Sequence, residues 1–180
     1  DPSAVLSLPE PGARFRAPLG RSHKGVRVAF FKDLGGVPFD ARVRTIVEGH
    51  RKTFESLGCV VEQAEPDFDG ADYAFKTLRA WNSAATHGER IRTHRAHYKD
   101  TLLAEVEHGL RLTGPDIAKA EKLHTQVWRR FQQFMAKYDF FVLPVTQLPP
   151  FDVDLHYPNE LNGVKFESYI DWMKACWYIS

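Results

Sequence analysis

The sequence predicts an α/β fold: a strand–helix–strand unit with parallel strands, several long helices and a buried central strand. Three observations carry this. Gly25-Val26-Arg27-Val28-Ala29-Phe30-Phe31 is a short β-branched and aromatic run, which marks a strand. Val43, Ile46, Val47, His50, Phe54 and Leu57 then recur at helical spacing, and Cys59-Val60-Val61-Glu62-Gln63 follows as a second strand. Strand, helix and strand within about forty residues make a right-handed βαβ crossover, which requires parallel pairing.

Taken in order, residues 1–24 carry Pro2, Pro9, Pro11 and Pro18, a composition that predicts an extended connector. The stretch from Asp33 to Phe39 holds Gly35-Gly36 and Pro38 and predicts a loop. Asp40 is placed to cap the following helix, and Gly58 to end it in a left-handed conformation. Asp69 to His97 predicts one long helix or two, with Tyr73, Phe75, Leu78, Trp81 and Ala85 on its apolar side. Asp100 to Leu112 predicts another. Pro115, at a first helical position, opens a helix that runs to about Lys137. Asp139-Phe140-Phe141-Val142-Leu143 predicts a third strand; with no polar alternation, it is expected to be central and covered on both faces. Val145 to Gly163 is a proline-rich loop, longer than the roughly 15 residues at which loops in compact domains become uncommon and usually functional or disordered. Its Phe151, Leu155 and Tyr157 argue for order. Phe166 to Ser180 predicts a last helix, apolar on more than one face.

The 180 residues carry 24 basic and 23 acidic side chains, so no charge excess points to nucleic acid or an anionic membrane. No apolar run reaches the roughly 18 residues of a bilayer span, and Asp1-Pro2-Ser3 opens no signal peptide. Cys59 and Cys176 both sit in apolar company and are expected as buried thiols in a reducing compartment, the cytoplasm, with a disulfide as the alternative. The first residue is not Met, so the chain is expected to be part of something longer.

A nucleophilic serine needs a tight, usually glycine-rich turn with a base in reach. The sequence has no Gly-x-Ser-x-Gly and no Gly-Ser or Ser-Gly pair, and Ser56 and Ser83 sit in helical stretches. No catalytic residue is therefore assigned. His87, Glu89, His94 and His97 form the densest cluster of metal-ligating types, but Arg90, Arg92 and Arg95 interleave with them and oppose a cation. Lys32 to Phe39 lies where a phosphate loop would, yet lacks the rest of a nucleotide fingerprint. No metal or cofactor is expected. One segment remains. The third strand runs into Pro144-Val145-Thr146-Gln147-Leu148-Pro149-Pro150-Phe151, at the strand end where open α/β sheets bind ligands. Prolines fix that backbone at little entropic cost, and Thr146 and Gln147 offer donors and acceptors for a carboxamide; a rigid connector would use the same residues.

Tyr138-Asp139-Phe140-Phe141-Val142-Leu143-Pro144-Val145-Thr146, with Pro149-Pro150-Phe151 beyond it, resembles the amidase-signature family. There a Tyr-Asp strand ending in Pro-x-Thr leads into a proline-rich loop beside the active site. Gly25-Val26-Arg27-Val28-Ala29 and Leu57-Gly58-Cys59-Val60-Val61 are similar to the family's recurring strand–helix–strand. Tyr169-Ile170-Asp171-Trp172-Met173 through Ser180 resembles the helix before its Thr-Gly-Leu-Pro-Ala return, which this sequence lacks.

The resemblance implies a partial amidase-signature fold, with residues 25–180 as its carboxy-terminal portion. It implies a parent enzyme that hydrolyses carboxamides with a Ser–cis-Ser–Lys triad. No residue here matches that triad or the Gly/Ser-rich signature, so the chain alone is expected to be inactive. What carries over is the loop Pro144, Val145, Thr146 and Gln147 as a pocket wall, with Trp172 on a second wall. The expected partners are a small-molecule amide, met through the parent enzyme, and the missing amino-terminal half of the fold or a second copy. The alternative is a non-catalytic binding or regulatory module built on half of the fold. The two differ in surface: a fragment exposes an apolar patch, whereas a self-sufficient module covers it.

Overall fold

The middle of a three-stranded parallel sheet is β1 (Arg27–Phe30), flanked by β2 (Val60–Gln63) and β3 (Phe140–Val142). The computed structural model describes residues 10–16, 18 and 20–180, so the first nine residues of the expected connector lie outside the described residues. In the described part of that connector, Gly12–Arg16 form a 3-10 turn where the composition predicts only extended chain. Val28, Ala29 and Phe30 are all buried, so the buried central strand exists, but it is β1 and not the Phe140 strand. Among the described residues β3 pairs on one side only, and Phe140 is 47 % exposed. Its unbroken apolar run is what a covered strand requires, and the described residues leave its outer edge free.

The crossover from β1 to β2 is helical, but broken: α1 (Ala41–Gly49) and α2 (Arg51–Ser56) meet at His50. Asp40 caps α1, its carboxylate accepting the Arg42 N–H at 2.9 Å. Gly58 closes the unit at φ +87°, as its position predicts. The predicted helix from Asp69 divides into α3 (Ala71–His87) and α4 (Ile91–His94), followed by a 3-10 turn. Then come α5 (Asp100–Arg111) and α6 (Gly114–Met135). Thr113 caps α6 in a reciprocal box with Asp116, and Pro115 sits in its first turn, where its missing N–H costs nothing.

Side chains alternate across the sheet, and both faces of β1 and β3 find helices. Phe30 meets Phe54 of α2 edge-on at 6.4 Å, while Phe141 meets Phe134 of α6 at 5.4 Å on the opposite face. The core gathers Phe30, Phe31, Leu34, Phe39 and Phe68 into one cluster. Each such side chain, fully buried, contributes about 1.5–3 kcal/mol. Glu62 of β2 reaches across the sheet: it accepts from the hydroxyl of Tyr138, just ahead of β3, at 2.8 Å and from the Arg27 guanidinium of β1 at 3.2 Å. That hydroxyl, and then Arg27, hold the Glu62 carboxyl below its ordinary value.

Two further predictions are corrected. The long loop contains a small hairpin, β4 (Glu160–Leu161) and β5 (Val164–Lys165). The expected helix over 166–180 shrinks to a 3-10 turn at Asp171–Met173 and the single turn α7 (Lys174–Trp177). The cause is visible: the Asp171 carboxylate accepts the N–H groups of Glu167 and Ser168, both at 2.9 Å, and holds the chain before it in a tight turn. Within α7, Ala175 and Trp177 face the core, so Cys176 between them is exposed. Cys59 is half-buried, and both thiols are free. Neither thiol is buried as predicted.

Candidate functional site

Three loops leave the carboxyl ends of β1, β2 and β3: residues 31–40, 64–70 and 143–150. Gln147, from the third, is the hub of this end. Its side chain is 0 % exposed. Its Nε2 donates to the Asp171 carbonyl at 2.9 Å, and its Oε1 accepts the Ala175 N–H at 3.4 Å. Its main-chain carbonyl accepts the Asp40 N–H at 2.9 Å, and its N–H donates to the Trp172 carbonyl at 3.4 Å. One residue therefore fastens the 143–150 loop to the helix cap after β1 and to the 171–175 segment. The carboxamide that the sequence offered to a ligand is spent inside the protein.

The other predicted wall residues take different places. Pro144 is buried at the start of the loop, whereas Val145 is 72 % exposed and stands clear of it. The Thr146 hydroxyl donates to the Leu148 carbonyl at 2.8 Å, which rigidifies the turn. Trp172 is half-buried and stands edge-on to Phe151 with ring centres 5.3 Å apart, joining the 171–175 segment to the loop from outside. The structure thus brings the loop and Trp172 together through Gln147 and Phe151.

Behind Gln147 lies a cleft of about 220 Å³, bordered by Pro38, Lys76, Lys165, Phe166 and Asp171. Sequence reasoning missed its charged lining. Asp171 is buried and pairs with the Lys76 ammonium at 3.0 Å; Lys76 also pairs with Asp72 at 3.1 Å, and Lys174 with Asp72 at 2.8 Å. Burial pushes the Asp171 carboxyl up, but Lys76 and the Ser168 N–H outweigh it, and the group ends below its ordinary value. Burial likewise pulls Lys76 down, but Asp171 and Asp72 carry it above its ordinary value. Tyr178, half-buried beside this cluster, is pushed up to about 12 by burial and then by Asp72. An acid set in the apolar run from Tyr169 to Met173 was the one sequence signal for this network; Lys76 lies too far along the chain for spacing to pair the two.

A second hollow, about 320 Å³ and mostly apolar, opens between α3, α6 and the end of the chain, bordered by Phe68, Leu78, Val127, Trp128, Phe131 and Ile179. Among the described residues, no serine hydroxyl hydrogen-bonds a lysine ammonium or a histidine ring. His87 instead faces the Tyr98 hydroxyl at 3.3 Å, and the His94 ring faces the Thr93 hydroxyl at 2.7 Å. No set of three metal-ligating side chains converges among those residues, and no helix there is long and apolar enough to cross a membrane.

A parallel α/β sheet with its loops braced at the carboxyl ends of the strands defines the class. The amidase family model matches residues 1–180, and the chain belongs to the amidase family. It is 26 % identical to an acylamidase of Rhodococcus erythropolis over 153 residues, covering 83 % of this chain and 32 % of that protein. It is 23 % identical to a glutamyl-tRNA(Gln) amidotransferase subunit of Streptococcus pyogenes, covering 86 % of this chain and 37 % of that protein. Among solved structures, a bacterial aryl acylamidase of the amidase-signature family superposes with a TM-score of 0.74 at 17 % identity, over 88 % of this chain and 36 % of its own. The chain spans about a third of the length of the curated relatives it matches.

Proposed function

We propose that this chain is the carboxy-terminal, substrate-side portion of an amide hydrolase, covering the fold from residue 25 to residue 180. In this reading Pro144, Val145, Thr146 and Gln147 form one wall of the pocket and Trp172 a second. The nucleophilic serine, the bridging serine and the lysine base lie outside these 180 residues, so the chain does not hydrolyse amides alone. The observation that carries the reading is the brace at Gln147. Four hydrogen bonds hold the loop at the ligand-binding end of the sheet, and a wall fixed before substrate arrives does not spend binding energy on ordering. Gln147 serves as the internal support of that wall, while Val145 and the Trp172 ring are its reachable surface.

Two other features support a portion of a larger fold. Among the described residues, the outer edge of β3 presents unpaired backbone groups beside the exposed Phe140 ring. The hollow between α3 and α6 leaves Trp128 half in solvent. The remaining amidase fold, or failing it a second copy, is the partner these surfaces fit. Two free thiols fit a reducing compartment, and we place the protein in the cytoplasm.

The acylamidase relatives make N-acyl anilides the first substrate class to try. Titrating the chain with a simple anilide while recording backbone amide NMR shifts tests the wall. Shifts centred on Val145, Thr146 and Trp172 are expected. Saturable shifts confined to Leu78, Val127 and Trp128 would move the pocket to the apolar hollow and overturn the assignment.

A further inference from the structure

The turn after β1 carries no nucleotide fingerprint in its sequence, yet its backbone has the geometry of an anion cradle. Leu34, Gly35 and Gly36 follow one another at φ +53°, +77° and +91°. Asp33 is not left-handed and Leu34 after it is, and a right-handed residue followed by a left-handed one turns successive N–H groups toward one point, a concavity that binds anions. The point is occupied. Oε2 of Glu65 accepts the N–H groups of Lys32 at 3.0 Å, Asp33 at 3.0 Å and Leu34 at 2.8 Å, and Oε1 accepts that of Gly35 at 3.1 Å. A single carboxylate on the loop after β2 thus satisfies four consecutive donors on the loop after β1.

The rest of the turn is built around this contact. Asp33 accepts the Gly36 N–H at 2.9 Å, and Arg44 of α1 donates to the Lys32 carbonyl at 2.7 Å. Leu34 is 2 % exposed and belongs to the core, which repays a left-handed leucine. A few residues on, Asp40 gives its N–H to the Gln147 carbonyl. The chain of contacts therefore runs from Glu65 through the 32–40 turn to the hub of the third loop.

We propose that residues 32–35 form a carboxylate-binding nest, that Glu65 is its resident ligand, and that Glu65 is the positioning residue that sets the 32–40 loop against Gln147. The chemistry favours a singly charged carboxylate over phosphate. The four donors are neutral N–H groups matched to two oxygens; of the acids lining the cleft beside them, Asp69 has no ion-pair partner among the described residues and repels a second negative charge, while Asp67 and Asp72 are paired with Arg130 and with Lys76 and Lys174. The inference rests on the geometry of the loops and stands apart from the proposed amide chemistry.

The test is backbone amide NMR on the full chain carrying Glu65→Ala. The amide signals of Lys32, Asp33, Leu34 and Gly35 should move upfield together as they lose a charged acceptor, and the Asp40 signal should move with them. Adding acetate should return all five saturably toward their wild-type positions, while leaving wild type unchanged and sodium chloride at equal ionic strength without effect. Inorganic phosphate should restore them about tenfold more weakly. Five signals unmoved by acetate, or an equal response in wild type, would overturn the nest; phosphate binding as tightly as acetate would overturn its carboxylate preference. An Asp40 signal indifferent to both mutation and acetate would overturn the positioning role. Should Glu65→Ala fail to fold, Glu65→Gln keeps the shape and removes the charge: the same amides should shift part of the way, and wild-type positions in that variant would refute the need for a carboxylate.

Discussion

Replacing Gln147 with Met is the sharpest probe of the brace, because it keeps the length of the side chain and removes its hydrogen bonds. The Asp171 carbonyl loses a donor at 2.9 Å, and the Ala175 N–H loses a more distant acceptor at 3.4 Å. Both groups stay buried, since Gln147 is 0 % exposed and Asp171 and Ala175 are nearly so. A buried polar group left without a partner costs about 1–3 kcal/mol. The shorter bond belongs in the middle of that range and the longer one at its foot, so the pair comes to about 3 kcal/mol. Burying methionine in place of an amide returns part of this, which leaves about 2 kcal/mol of destabilisation. Equilibrium unfolding in urea, followed by tryptophan fluorescence, reads the change directly. At a slope of about 2 kcal/mol per molar urea, the midpoint falls by about 1 M with the slope unchanged. Thr146→Val is the control: it removes one local hydrogen bond at a half-buried site, and its cost should stay below about 1 kcal/mol. A Gln147→Met midpoint within about 0.2 M of wild type would refute the claim that this side chain holds the loop.

Other consequences follow from the same contacts. Gly109→Ala places a methyl group 2.6 Å from the Ala80 carbonyl carbon and 2.8 Å from the Ala84 methyl, so α3 and α5 must part. Thermal unfolding should show a loss of about 1–3 kcal/mol, and a neutral result would contradict the close helix approach. Asp171 titrates below its ordinary value in the fold, so its contribution is complete above about pH 4 and is lost as the pH falls through the lowered value. Lys76 titrates above its ordinary value, so its contribution is complete below about pH 10 and is lost only at higher pH. Asp171→Asn should accordingly flatten the acid limb of the stability profile below about pH 4; an acid limb of wild-type steepness would show that Asp171 does not titrate with folding.

Much of the fold was legible because its signals are local. Asp40 and Gly58 frame the helical crossover with a cap and a left-handed stop, and Pro115 opens α6; each acts within one turn of its own position. The misreadings share a cause of the opposite kind. The apolar run Phe140–Val142 describes a strand that helices cover, but pairing partners decide which strand is central, and β1 pairs on both sides. The helix expected over 166–180 gave way because the Asp171 side chain captures the N–H groups of Glu167 and Ser168, a competition that apolar periodicity does not register. The candidate site was legible as a segment and not as a mechanism. Proline spacing pointed to residues 144–147, but the inward use of the Gln147 amide depends on Asp171 and Ala175, more than twenty residues away. The nest was hidden for the same reason: Gly35-Gly36 is visible in the sequence, while Glu65, thirty residues on, is an ordinary acid until the strands pair.

The central claim is that the chemistry resides outside these 180 residues. Purified chain, shown to be folded by its dispersed amide spectrum, should be incubated with simple aliphatic amides and N-acyl anilides, and ammonia or aniline release measured. The expected result is release at the rate of the buffer alone. Turnover that co-purifies with the chain and scales with its concentration would mean that these 180 residues contain a working nucleophile, and the division of the enzyme proposed here would be wrong.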